Sequence, residues 1–465
     1  MARIVVVPHA IRSKLVTVTE LTSRLEASGH DVTLVAPRDG RMDDSGLPYQ
    51  PSGLRLVPVK VSSSRWRPVR AWHWLTGRRK RRAAGRAAVA DAGGERFEQT
   101  LRALAPDLVL VDIEMPEHLL VAAANGFRVV QLCVFFSLWR HPNVPPLHVR
   151  MTPSADSAAS QWPVTFAWWR YYARRWWELK MTVLHGADQS ALLHQFAEQL
   201  NYPLVRVTDA YQGLIPLVFS DVDLLNTNLW ELELPHDRLP RHRYVGPMVA
   251  RQRSTLRFDV AQQAANARVD ALIDKVKSAD PDARLIYCAF GGYFHGDETT
   301  FWSELLAAVG QKPQWSVILG LGGRVDKNAL PTVPANVHVF AWAPQMRVLE
   351  HADAAVIHGG MTSVYECLDN AVPMLVYPFD HFDQFGTAAR VEYHGVGLVG
   401  DRRRDRAPQI VARLDTLLAS TAVRERVAVY REYIRRDRAN ATLDRAIIEL
   451  LQRSPGDAPA QVVNA

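Results

Sequence analysis

Cysteine is scarce in this chain. Its three cysteines, Cys133, Cys288 and Cys367, contain no C-x-x-C pair. That usage excludes a disulfide framework and a four-cysteine zinc site, and it suits a reducing cytoplasm. Long apolar runs are also missing near the N-terminus, where only Ile4 to Val7 are uninterrupted. A membrane span needs roughly 20 apolar residues, and a secretory leader needs a long apolar stretch. The expected location is therefore cytoplasmic. No zinc-finger spacing and no aromatic-plus-basic ribonucleoprotein motif occur, so no nucleic acid partner is expected. A P-loop and H-E-x-x-H are likewise absent, and no metal or other cofactor is expected.

What is present is enough chain for two domains: 465 residues, 48% of them apolar. The net charge of +7 favours an anionic ligand. Ile4 to Pro8 reads as a strand, residues 16–28 as a helix stopped by Gly29, and Asp31 to Ala36 as a second strand. Strand, helix, strand within so short a length is a βαβ unit, and it implies a parallel sheet. The pattern returns at Leu108 to Asp112 and Val129 to Phe135. It starts again at Leu285 to Phe290, Trp315 to Leu319, Val337 to Phe340, Ala354 to His358 and Met374 to Pro378. The fold class is thus α/β, with two Rossmann-like domains and a ligand cleft between them. Residues 1–245 form the expected first domain and 246–258 the linker, marked by Tyr244-Val-Gly-Pro247. Residues 259–452 form the expected second domain and 453–465 a disordered tail.

Two segments of the first half have more than one reading. Arg65 to Arg86 holds nine basic residues, either a solvated loop or a contact for an anionic surface. Trp162, Phe166, Trp169, Tyr172 and Trp176 fall at helical spacing, with Arg170, Arg174 and Arg175 nearby. They suit an aromatic face packed into the first domain, a wall for an apolar acceptor, or a helix lying at a membrane surface.

The chemistry concentrates between Trp342 and Gly397. In His358-Gly-Gly-Met-Thr-Ser-Val-Tyr-Glu366 a strand runs through two glycines into a helix start. The glycines admit close backbone approach, and the helix end offers unpaired N–H groups with a positive dipole. That is a diphosphate cradle. His358 at its lip can donate to a phosphate oxygen, Thr362 and Ser363 add hydroxyls, and Glu366 can accept from a ribose. In Tyr377-Pro-Phe-Asp-His-Phe-Asp-Gln384, an acid and an amide end a strand and suit sugar hydroxyls. Trp342-Ala-Pro-Gln345 offers a ring for stacking on a base.

In this order the pieces resemble the nucleotide-sugar signature of the family-1 UDP-glycosyltransferases of the GT-B fold. Within that family they look most like bacterial carotenoid (zeaxanthin-type) glucosyltransferases. The resemblance implies that Trp342 stacks on uracil with Gln345 near the nucleoside. It implies that His358, Gly360, Thr362 and Ser363 meet the diphosphate, with Gly292 nearby. Glu366 would hold the ribose, and Asp383 and Gln384 the sugar. Thr362 and Thr387 replace asparagines common in the family, which loosens the expectation for the sugar. The implied activity is metal-free transfer of a hexose, glucose first, from a UDP-sugar to an apolar small molecule, with Trp162, Phe166 and Trp169 as an acceptor wall. Two other functions stay open: a nucleotide-sugar-binding homologue without turnover, and a sugar-nucleotide epimerase.

The family's usual base, a histidine paired with an aspartate, is only half present. Asp112 ends a strand at the right place, but alignment from Pro8 and Gly29 puts Lys14 where the histidine should be. A lysine titrating near pH 10.4 is a poor base, although burial could lower that value. Three readings follow: His9 reaches the site instead, Lys14 clamps an anionic acceptor, or the chain has lost turnover. Asp221-Val-Asp223 spells the metal-binding D-x-D of other glycosyltransferases, but it precedes an apolar strand and reads as structural.

Overall fold

The structure, a computed structural model, describes residues 1–9, 12–38, 49–51, 94–153, 157–185, 197–203, 219, 221–250, 260–278, 283–291, 299–322, 330–379 and 383–453. The basic run at 65–86, Gly292, most of the expected linker and the expected tail beyond Arg453 lie outside them.

The first half contains β1 (Arg3–Val7), α1 (Arg12–Ala27), β2 (Asp31–Leu34), β3 (Ala36–Arg38), β4 (Tyr49–Pro51), α2 (Gly94–Leu104), β5 (Leu108–Asp112), α3 (Pro116–Ala124), β6 (Val129–Cys133), α4 (Ser157–His185), β7 (Asp223–Asn226) and β8 (His242–Tyr244). Six strands form one sheet in the order β2-β1-β5-β6-β7-β8. Every pairing in it is parallel. Apolar and polar residues do not alternate along β5, whose Leu-Val-Leu-Val-Asp is buried throughout. That is the pattern of a strand covered by helices on both faces. α1 stops where Gly29 takes φ +82°, a left-handed turn that a side chain would resist.

The second half contains α5 (Val260–Ser278), β9 (Arg284–Ala289), α6 (Thr299–Gly310), β10 (Trp315–Gly320), β11 (Val337–Phe340), α7 (Gln345–Leu349), β12 (Ala354–Ile357), α8 (Met361–Asp369), β13 (Met374–Val376), α9 (Gln384–Tyr393), β14 (Gly397–Val399), α10 (Ala407–Ala419), α11 (Thr421–Ala439) and α12 (Thr442–Gln452). Its six-stranded sheet has the order β11-β10-β9-β12-β13-β14. It too is wholly parallel.

The last helix departs from the expected division at 259–452. Leu443, Ala446, Ile447 and Leu450 of α12 pack with Ile4, Val6, Leu108 and Leu132 of the first sheet. The Arg128 guanidinium donates to the Leu450 carbonyl at 3.1 Å, and Arg453 reaches Asp223 at 2.6 Å. The physical reason is an apolar stripe on α12 that the second domain leaves uncovered. Burying three such aliphatic side chains stabilises by about 1.5–3 kcal/mol each. Asp223 is also held by Arg243 at 2.8 Å, so its carboxylate serves this seam.

The two halves meet through the segments that leave the C-terminal ends of their strands. Phe135, Phe136 and Leu138, after β6, share one apolar cluster with Tyr287, Met361 and Val376. The Tyr365 hydroxyl accepts from the Leu229 N–H at 3.0 Å. Gly386, in the first turn of α9, lies against Leu147 so closely that a methyl there would overlap its backbone. At the centre of the seam Arg390 of α9 donates twice to the Glu233 carboxylate, at 2.7 and 3.0 Å. Ser137 N–H and the Tyr244 hydroxyl donate to the other Glu233 oxygen at 2.6 and 3.0 Å.

Candidate functional site

In open parallel sheets, ligands bind outside the carboxyl ends of the strands. In the second domain those ends carry Gly291 after β9, Trp342 after β11, His358 after β12 and Asp383 after β13. The backbone at 358–361 is shaped for close approach. Gly359 takes φ +83° and a methyl on it would stand 2.8 Å from Val376 Cγ1. Gly360 is the N-cap of α8, and among the described residues no side chain caps that helix start. Its first N–H groups are thus open to an external acceptor.

The His358 ring fills the space that the glycines vacate. A methyl on Gly360 would come 2.5 Å from its Nε2, and one on Gly291 would come 3.0 Å from its Cε1. The imidazole therefore lies between the end of β9 and the start of α8. It is 8% exposed. Thr362 and Ser363, half-buried, sit in the first turn of the helix.

One network joins three of the expected donor residues. The Tyr287 hydroxyl donates to Gln345 Oε1 at 3.1 Å. Gln345 Nε2 donates to Ser363 Oγ at 3.3 Å and to Glu366 Oε2. A buried carboxylate needs such donors, and Glu366 is 1% exposed. Tyr287 was not legible as part of a site, because its role depends on a partner 58 residues away.

Asp383 is the N-cap of α9 and Gln384 its first residue, both buried. Gln384 Oε1 accepts from the Phe379 N–H at 2.7 Å. That fixes the amide and turns its NH₂ into the group left to donate. Trp342 lies after β11 and is 42% exposed.

In the first domain, Lys14 and Asp112 come together across 98 residues. Lys14 Nζ donates to Asp112 Oδ1 at 2.7 Å, and it also pairs with Glu114. The ammonium stands 4.9 Å over the Phe135 ring. Desolvation of the buried Lys14 would lower its pKa, yet the two carboxylates outweigh it and the net direction is upward. This corrects the expectation that burial could lower the Lys14 pKa enough for it to serve as a base: it remains a charged, paired ammonium. The group of one ammonium and two carboxylates is also net negative, which removes the reason for an anionic acceptor there. Glu114, two residues beyond the end of β5, is the outermost member, its side chain 29% exposed. It was missed from sequence, though its position beside Asp112 at a strand end was a usable signal. Asp112 Oδ2 and His9 Nδ1 are buried without hydrogen-bond partners among the described residues.

The aromatic helix is turned the other way from the packed-face expectation. α4 seats Trp168, whose Nε1–H donates to the Val144 carbonyl at 2.7 Å. Trp162, Phe166 and Trp169 face solvent. They gather with neither Lys14 nor Asp112 in the described contacts.

Residues 281–458 match the family described as UDP-glucoronosyl and UDP-glucosyl transferase. The oleandomycin glycosyltransferase of Streptomyces antibioticus is 36% identical over 99 residues, 21% of this chain and 23% of that protein. The zeaxanthin glucosyltransferase of Pantoea ananas is 24% identical over 306 residues, 64% of this chain and 61% of that one. Matches to these curated relatives thus span less than two thirds of their lengths. The solved calicheamicin glycosyltransferase CalG4 superposes with a TM-score of 0.63 at 18% identity, covering 98% of this chain and 99% of its own. That likeness extends over both domains and makes the fold GT-B.

Proposed function

We propose that this chain, whose residues 281–458 match the UDP-glucoronosyl and UDP-glucosyl transferase family, moves a hexose from a UDP-sugar to an apolar small molecule by one inverting displacement. The observation that carries the reading is the uncapped start of α8 with the His358 imidazole set against Gly291 and Gly360. The diphosphate would lie over that helix end, where open N–H groups, Thr362 and Ser363 neutralise charge. His358 would donate to the leaving phosphate oxygen as the glycosidic bond breaks. Glu366 would hold the ribose, Trp342 would stack on the base, and Asp383 with the Gln384 NH₂ would hold the hexose. The acceptor would enter from the first domain. Its proton would pass to Glu114, whose carboxylate Lys14 holds in place.

Incubation with UDP-glucose, dTDP-glucose and a panel of hydroxylated apolar acceptors tests this. The expected result is acceptor-dependent release of the nucleoside diphosphate, faster from the uridine donor. His358→Ala should lower kcat about a hundredfold. Glu114→Gln should lower kcat by a similar factor while calorimetric donor affinity stays within about twofold. Unchanged turnover in either variant would remove that residue from the mechanism.

The Lys14 ion pairs favour a second reading, a nucleotide-sugar-binding homologue without turnover. Donor binding with no acceptor-dependent release across the panel would establish it instead. Interconversion of donor sugars without acceptor would point to the epimerase.

A further inference from the structure

The outward face of α4 has no role in the reading above. Successive residues of a helix are separated by about 100°. On that wheel Trp162, Phe166, Trp169, Ala173, Trp176 and Trp177 fall within about 100° of arc, a stripe roughly 22 Å long. The structure leaves its aromatics in solvent: Trp162 is 81% exposed, Phe166 60%, Trp169 64%, Trp176 50% and Trp177 62%. The opposite face is the buried one, with Val164 and Trp168 nearly inaccessible. Phe166 and Trp169 lie side by side, their ring planes 22° apart and centroids 5.9 Å. Further along, Trp169, Tyr172, Ala173, Trp176 and Trp177 line a shallow apolar groove. Arg170 and Arg174, both exposed, border the stripe on one side.

We infer that α4 lies on an anionic lipid bilayer, its tryptophan stripe at the level of the headgroups and its arginines on lipid phosphates. Exposing five large aromatics in one contiguous face is costly in water, and each can bury about 150–250 Å² elsewhere. Indole rings favour the interface between headgroups and chains, where an apolar body and a polar N–H are both satisfied. A helix with one apolar stripe and a basic border is the shape that lies in that plane. The arginines and the net charge of +7 choose anionic over neutral lipid. Among the described residues no helix is long and apolar enough to cross a membrane, so the contact would lie along the surface. The inference is independent of the transferase reading, because its test reads binding alone.

The full chain is sedimented with vesicles of phosphatidylcholine alone and of phosphatidylcholine with 30 mol% phosphatidylglycerol, about a third anionic, a charge density that draws juxtaposed arginines. Binding to the anionic vesicles and a blue shift of tryptophan emission are expected. Trp162→Ser/Phe166→Ser/Trp169→Ser should weaken binding at least about tenfold without changing the thermal melt. Arg170→Glu/Arg174→Glu, which leaves the aromatics in place, should weaken it by about thirtyfold and remove most of its salt dependence. No binding to anionic vesicles overturns the inference. So does binding that both variants retain, which would assign it to another basic segment. A concentration-dependent dimer that the serine variant abolishes, without vesicle binding, would give the face to a second copy of the chain instead.

Discussion

Arg390→Ala is expected to destabilise the folded protein by about 3–5 kcal/mol in urea titration, among the largest effects of any single substitution. Arg390 is 1% exposed and its partner carboxylate equally so. Taking two charges out of water costs several kcal/mol per ion, which only close pairing and further hydrogen bonds offset. Here both conditions are met. Arg390 makes two bonds to Glu233, donates to the Gly386 carbonyl at 3.1 Å and lies 4.3 Å over the Phe136 ring. Alanine would leave Glu233 buried with only the Ser137 N–H and Tyr244 hydroxyl as donors, and would open a void beneath Phe136. Glu233 belongs to the first domain and Arg390 to the second, so the loss falls on the seam between them. A companion variant separates pairing from packing: Arg390→Met/Glu233→Gln removes both charges while keeping most volume, and should recover at least half of the loss. If Arg390→Ala unfolds at the wild-type urea concentration, the pair contributes nothing net and the seam is held by its apolar contacts alone.

That pair also marks where sequence reading runs out. Strands such as β5 and β12 are legible because a buried parallel strand writes its environment into four or five adjacent apolar residues. The cradle at 358–366 is legible for a similar reason: two glycines, a hydroxyl pair and an acid all lie close behind one strand end. Glu233 and Arg390 stand 157 residues apart. Nothing local distinguishes either from a surface charge, and only the packing of the two domains brings them together. Lys14 stands out for the residue it replaces, but its charge state depends on Glu114 and Asp112, both distant in sequence. The face of α4 is ambiguous for another reason. Aromatic residues lie on both sides of that helix, so periodicity alone does not say which side is buried. The Val144 carbonyl, accepting from Trp168, decides it. Continuity along the chain assigns the last helix to the second domain, whereas its apolar stripe finds the uncovered face of the first.

Acidification from pH 7 to pH 5 should lower stability by about 4 kcal/mol through two histidines at this same seam. His141 and His236 have ring centroids 4.0 Å apart, and Trp139 lies 4.1 Å from His242. Burial, then the fields of His236, His242 and Arg390, pull His141 down to about 3. Burial, then His236, pulls His242 down to about 4. In the unfolded chain both titrate near 6.5. Between these limits the unfolded chain holds a proton at each site and the folded protein does not. Stability is therefore whole above pH 6.5 and is lost as pH falls through 6.5 toward the folded values. Each histidine contributes about 1.4 kcal/mol per pH unit well below 6.5, or about 2 kcal/mol by pH 5. Carboxylates with ordinary values near 4 contribute little over that interval. His394, which meets the Glu233 carbonyl at 2.9 Å, shifts downward as well and adds to the same slope. Urea titrations at pH 7, 6 and 5 measure the effect. His141→Asn and His242→Gln, which cannot take up the proton, should each flatten the pH dependence by about a third to a half. A wild-type stability that stays level between pH 7 and pH 5 would mean that these rings admit water and protonate while the seam remains closed.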